Sequence, residues 1–159
     1  MEGQMKINDQ VTVAGQPSEE ELRHIVNKGF ASVINLRTDN EEDLPMTPQE
    51  EEKTVRSMGM AYVNIPVSIS EEYAGSEDNY GVELVNRFRE EFRKISKPVL
   101  VHCKKGKRSG AFVMMDIAVR QGWSGDDTVK KAEDMGFECD NEKLVEFVKS
   151  YIDSHKNKK

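Results

Sequence analysis

The sequence predicts an α/β protein with a mainly parallel central sheet flanked by helices. Three observations carry this. Short apolar runs rich in β-branched residues alternate with amphipathic segments over roughly the first 120 residues, the pattern of a sheet whose strands are joined by helical crossovers. Ser18…Glu21 and Thr47…Glu50 are capping boxes that place helix starts between those runs. The length of 159 residues, with no internal repeat, suits one domain around one core, so residues 1–159 are expected to form a single domain.

Taken in order, residues 10–14 (QVTVA) alternate enough for a short strand. Ser18 then opens a helix with Leu22, Ile25 and Val26 at helical spacing, and Gly29 ends it. Residues 31–36 (ASVINL) are a buried strand by their β-branched content, and 37–46 (RTDNEEDLPM) a polar loop. Thr47, with Pro48 at the first helical position, opens a helix that runs to about Met58 before Gly59. Residues 61–67 (AYVNIPV) are the next strand and 68–78 (SISEEYAGSED) a loop. Val82, Val85, Phe88, Phe92 and Ile95 share one face of a helix over 79–95. Pro98 suits the first position of a strand over 98–102. A helix follows from about Ser109 to Gln121, burying Phe112, Met115, Ile117 and Val119, and helices at about 126–135 and 140–154 complete the chain.

The net charge is −6, which argues against general nucleic-acid binding. No apolar stretch approaches the roughly 18 residues that span a bilayer, and MEGQMKINDQ has no apolar signal core, so the chain as given reads as cytoplasmic. Two cysteines, Cys103 and Cys139, make no disulfide framework. Cys139 is expected to pack against the core, with a resolving thiol for Cys103 as the sharper alternative.

Against this acidic background stands VLVHCKKGKRSG at 99–110. An apolar strand stops at His102. Cys103 then leads through Lys104, Lys105, Gly106 and Lys107 to Arg108, Ser109 and a helix. In such sheets ligands bind beyond the carboxyl ends of the strands, and Cys103 lies just past one. A loop feeding a helix aims backbone N–H groups at one point, and the helix adds its positive end. Gly106 permits the bend, and Arg108 offers a planar fork to two oxygens of an oxyanion. A free thiol titrates near pKa 8.5, and such surroundings lower it to between about 3.5 and 7.5. Cys103 is therefore read as a thiolate nucleophile in an anion-binding loop. His102 either orients the loop or simply closes the strand. The lysines either concentrate an anionic substrate or are solvated surface.

HCKKGKRSG resembles the signature loop of cysteine-dependent protein phosphatases, whose usual spacing places five residues between Cys and Arg. Here there are four, Lys104 to Lys107, a length also found in rhodanese-type sulfurtransferases. AGQPSEEEL at 14–22, GFASVINLR at 29–37, MAYVNIPV at 60–67 and PVLVHCKKGKRSG at 98–110 together resemble the bacterial beta-lactamase-hydrolase-like family of dual-specificity-type phosphatases, whose members share the four-residue loop. The resemblance is strongest over 14–120.

It implies a dual-specificity-phosphatase-like fold and hydrolysis of phosphate monoesters through a phosphocysteine. Cys103 attacks phosphorus. Arg108 and the loop amides of Lys104, Lys105, Gly106 and Lys107 hold the equatorial oxygens, and Ser109 stabilises the thiolate. No metal or other cofactor is implied. The partner is a phosphorylated small molecule or phosphoprotein, with neither nucleic acid nor membrane. Related phosphatases carry an aspartic acid after the IPV strand as general acid. Here Ser68-Ile69-Ser70-Glu71-Glu72 stands instead, with no aspartate before Asp78. Glu72 takes the donor's role in this reading, Glu71 is its neighbour, and a solvated loop face is the alternative for both. Arg37 and Asp39 follow the INL strand and either line the pocket or salt-bridge their loop. Two other functions compete: sulfur transfer through a Cys103 persulfide, supported by the short loop, and a non-catalytic phosphate- or sulfate-binding module, supported by the missing aspartate.

Overall fold

A computed structural model of the chain describes residues 1–67, 80–137 and 142–155. The element order is β1 (Met5–Lys6), β2 (Val11–Ala14), α1 (Glu19–Asn27), β3 (Ser32–Asn35), α2 (Pro48–Ser57), β4 (Ala61–Asn64), α3 (Tyr80–Lys94), β5 (Val99–His102), α4 (Lys107–Gln121), α5 (Gly125–Met135) and α6 (Glu142–His155). The residues fall into two compact units, one of 1–68 with 90–109 and one of 69–89 with 110–159.

The first unit holds the whole sheet, in strand order β1-β2-β5-β3-β4. β2, β5, β3 and β4 run parallel, and only the edge strand β1 is antiparallel, to β2. The mainly parallel α/β reading is borne out. The register sets Ala14 and Asn35 on either side of His102, with Asn64 beside Asn35. The last residues of all four parallel strands thus line one edge, and Cys103 is the next residue beyond it. Both capping boxes form: Ser18 Oγ accepts from the Glu21 N–H and Thr47 Oγ1 from the Glu50 N–H, each glutamate answering to the cap's own N–H. Leu22 and Ile25 of α1 and Val55 of α2 pack with Ala14, Val33, Leu100, Met60 and Tyr62. The opposite register row, Val13, Val101 and Ile34, is fully buried as well. A strand buried on both faces needs apolar residues at consecutive positions rather than at alternate ones, which VTVA, SVIN and VLVH supply.

In the second unit Phe88 meets Phe112 edge to face, ring centres 5.7 Å apart. Buried Asp116 accepts from Arg89 Nε at 3.0 Å and Arg120 Nε at 2.9 Å, and the Tyr151 hydroxyl donates to Asn86 Oδ1 at 2.6 Å. α4 is buried nearly all round, through Phe112, Val113, Met114, Met115, Ala118 and Val119, with Ile117 only half-buried.

Three boundaries differ from the sequence reading. β1 is too short to show a period. The third predicted strand is assigned only to Asn64, although its IPV end stays tied to the neighbouring chain, the Ile65 N–H donating to the Asn35 carbonyl at 2.9 Å and the Val67 N–H to the Leu36 carbonyl at 3.0 Å. α4 begins at Lys107, two residues before the expected Ser109. Cys139 and the SISEE stretch lie outside the described residues.

Candidate active site

The loop between β5 and α4 is built from its ends inward. The Cys103 N–H donates to the Ala14 carbonyl at 3.2 Å, so the parallel ladder carries the chain to the nucleophile's own backbone. Six residues on, the Ser109 hydroxyl sits 3.1 Å from that same Ala14 oxygen. Gly106 adopts φ +98°, a region that favours glycine, and this turns its N–H onto Cys103 Sγ at 3.1 Å. Cys103 is only 1% exposed. The predicted group of Cys103, Gly106, Arg108 and Ser109 is therefore brought together, with the first turn of α4 supplying Arg108 and Ser109.

Ser109 sits 3.6 Å from Cys103 Sγ and 3.1 Å from the Gly106 carbonyl as well as from that of Ala14. Its single proton faces three acceptors. Donation to the sulfur has to draw it from the two carbonyls.

Arg108 is gripped by a residue the sequence reading left in a polar loop. Glu41 accepts from Arg108 Nη1 at 2.8 Å and Nη2 at 2.9 Å, a two-point pair. Nη1 also donates to the Val67 carbonyl at 2.8 Å. Glu41 further accepts from Arg37 Nε at 3.0 Å and the Thr38 N–H at 2.7 Å. Burial works to raise the Glu41 carboxyl, but the bonds from Arg108, Thr38 and Arg37 outweigh it and hold the group at about 2. Burial also works against charged Arg108, and Glu41 and the nearby Cys103 more than offset it, raising the guanidinium above its ordinary value. With Glu41 on the terminal Nη edge, the Nε side of the fork is the edge suited to an anion.

Arg37 does not line a pocket. Its side chain is 1% exposed and spends its donors on Glu41, Gln16 Oε1 at 3.0 Å and the Glu42 carbonyl at 2.9 Å; the salt-bridged alternative is the one found. His102 is fully buried, with Nε2 2.6 Å from Glu51 Oε2 and Nδ1 3.4 Å from the Cys103 carbonyl. Lys105 and Lys107 are exposed, while half-buried Lys104 lies 3.6 Å from Asp43. Asp39 is exposed. Glu71 and Glu72 lie outside the described residues. Among the described residues no group of three or more His, Cys, Asp or Glu is arranged to hold a metal, and no helix is long and apolar enough to cross a membrane.

Sequence reasoning missed Glu41, Glu51 and Gln16. Glu51 alone left a readable signal: it lies three residues after Pro48 and four before Val55, and all three share the buried stripe of α2.

Comparison with known proteins identifies the family and the fold. The family model PTP-NADK, described as "DSP-PTPase phosphatase fused to NAD+ Kinase", matches residues 3–155. The "Beta-lactamase hydrolase-like protein" of Xylella fastidiosa (strain Temecula1 / ATCC 700964) is 32% identical over 106 residues, which are 65% of this chain and 22% of that protein. Its namesake in Agrobacterium fabrum is 32% identical over 108 residues, again 22% of its length. The chain thus spans less than a quarter of the curated relatives it matches. A solved DUF442 protein of Shewanella putrefaciens CN-32 superposes with TM-score 0.73 at 25% identity, over 97% of this chain and 91% of that one. The core catalytic domain of the PP-IP phosphatase SIW14 from S. cerevisiae gives TM-score 0.70 at 19% identity, over 94% and 85% of the two chains, a likeness of fold alone.

Proposed function

The chain belongs to the DSP-PTPase phosphatase family, and from that membership we propose that it hydrolyses phosphate monoesters through a phosphocysteine on Cys103. The observation that carries the reading is the Cys103 sulfur seated on the Gly106 N–H at 3.1 Å, at the start of a helix whose second residue, Arg108, is locked by Glu41. The sulfur attacks phosphorus and the ester oxygen departs with a proton. The N–H groups of residues 104–108 and the Nε side of Arg108 hold the equatorial oxygens, where charge concentrates in the transition state. Ser109 turns its proton to the sulfur as the phosphocysteine is hydrolysed, easing thiolate departure.

Glu41 is not the proton donor, since a carboxyl held at about 2 is ionised at neutral pH. Glu72 remains the assigned donor on the sequence argument. Glu72→Gln should lower kcat by about 10²- to 10⁴-fold on alkyl phosphates and much less on nitroaryl phosphates, whose acidic leaving groups depart as anions; equal losses on both would remove Glu72 from the role.

The deciding experiment runs an aryl phosphate, and separately thiosulfate with cyanide, through wild type and Cys103→Ser in the presence of a chelator. Phosphate release that disappears in Cys103→Ser is expected. Thiocyanate formation with a one-sulfur mass gain on Cys103 would establish sulfur transfer instead, and phosphate binding with no turnover of either substrate would establish a binding module. The lysines at 104, 105 and 107 are the reason to include polyanionic phosphates in the substrate panel.

A further inference from the structure

Glu51 has no part in the chemistry above, yet it is a carboxylate with a fully buried side chain. Such a group is tolerated only when paired and hydrogen-bonded. Its partners account for it: Oε2 meets His102 Nε2 at 2.6 Å and Oε1 accepts from Gln16 Nε2 at 2.8 Å. Burial works to raise the carboxyl, but His102 and Gln16 outweigh it and the pKa is lowered. On the far side of the imidazole, Nδ1 faces the Cys103 carbonyl at 3.4 Å. A carboxylate and a carbonyl can only accept, so each ring nitrogen faces an acceptor. From β4, the Tyr62 phenol is pushed well up by burial and by the Glu51 charge, and its hydroxyl donates to the Pro48 carbonyl. Arg37 is separated from Glu51 by the Gln16 amide.

We propose that Glu51 is a positioning residue for Cys103: it holds the His102 ring between its own carboxylate and the Cys103 backbone, with a hydrogen on both ring nitrogens, so that a positive ring is fixed beside the nucleophile. The ring stands between Glu51 and the Cys103 carbonyl, so its charge is nearer to the cysteine than the carboxylate's is, and the pair as a whole favours the thiolate.

The same carboxylate reaches the other flank of the loop. Glu51 accepts from Gln16, Gln16 accepts from Arg37, Arg37 donates to Glu41, and Glu41 grips Arg108. Arg37 can only donate and Glu51 only accept, so the Gln16 amide fits one way round. One partly buried chain of polar groups therefore joins the residue before Cys103 to the arginine after it.

The inference rests on Cys103 being the nucleophile, so its test is chosen to work without turnover. The rate of Cys103 alkylation by iodoacetamide is followed against pH, with Cys103→Ser as the background. In Glu51→Gln the midpoint should rise by about one pH unit, with the rate recovering fully at alkaline pH, and Glu51→Asp should restore most of the shift. Imidazole 15N resonances, assigned through His102→Gln, should show two protonated nitrogens in wild type and one in Glu51→Gln. His102→Gln removes the ring while leaving Glu51 an amide donor, and should give the same rise in midpoint should Glu51→Gln melt poorly. An unchanged midpoint in both variants, or a loss of reactivity that alkaline pH does not recover, overturns the proposal. Failure of wild type to release phosphate would overturn the phosphatase reading alone and leave these measurements readable.

Discussion

At the residue scale, the chemistry that was legible is the chemistry that follows the chain. Cys103, Gly106, Arg108 and Ser109 could be read together because strand, loop and helix start deliver them within a few residues. Glu41 could not, because an acidic residue in RTDNEED has the composition of a solvated loop, and only the fold brings it to Arg108. Glu41→Gln removes a charge that two arginines share and leaves both of them partly unpaired. We expect kcat to fall by at least tenfold on aryl phosphates, with a smaller change in KM, since the grip on Arg108 matters most when phosphoryl charge is greatest. A change confined to KM would mean that Glu41 serves ground-state binding only.

At the element scale, the strands and capped helices were readable from periodicity and turn chemistry, whereas β1 was not, since two residues carry no pattern. The reading also missed what β2 does at its end. Gly15 lies so close to the cysteine loop that an added Cβ would stand 2.6 Å from the Lys104 carbonyl, 2.9 Å from that of Glu2 and 3.1 Å from Lys105 Cα. Two of these obstacles are carbonyl oxygens and the third is an α-carbon, so no side-chain rotation relieves them. Gly15→Ala must displace the loop or the segment at residues 2–3. Phosphate or vanadate affinity should drop about tenfold or more while the far-ultraviolet circular dichroism stays native; unchanged affinity would show that the loop's shape does not depend on this approach. The Gln16 N–H bond to the Lys104 carbonyl at 3.0 Å belongs to the same junction.

At the scale of the whole molecule, Glu41, Cys103, Gly106, Arg108 and Ser109 fall within one of the two units, the one that contains the sheet, so their arrangement follows the stability of that unit. Glu41 links this to pH. Its carboxyl drops from an ordinary 4.5 to about 2 on folding. A depressed carboxyl stabilises the folded state fully above its unfolded pKa, and the contribution fades as pH falls towards the folded one. On the order of 3 kcal/mol is at stake, and Glu51, also lowered, adds in the same direction. The melting temperature should therefore decline between about pH 4.5 and pH 2, and Glu41→Gln should flatten much of that slope while lowering stability at neutral pH. An identical slope in the variant would place the acid sensitivity elsewhere. A last consequence follows from the Ala14 carbonyl, which receives both the Cys103 N–H and the Ser109 hydroxyl. That oxygen acts as a gauge: the span from nucleophile to helix is measured against the neighbouring strand, not by the loop's own length. A loop one residue longer would have to bulge outward or give up an anchor, so the compact spacing is a property of the sheet as much as of the motif.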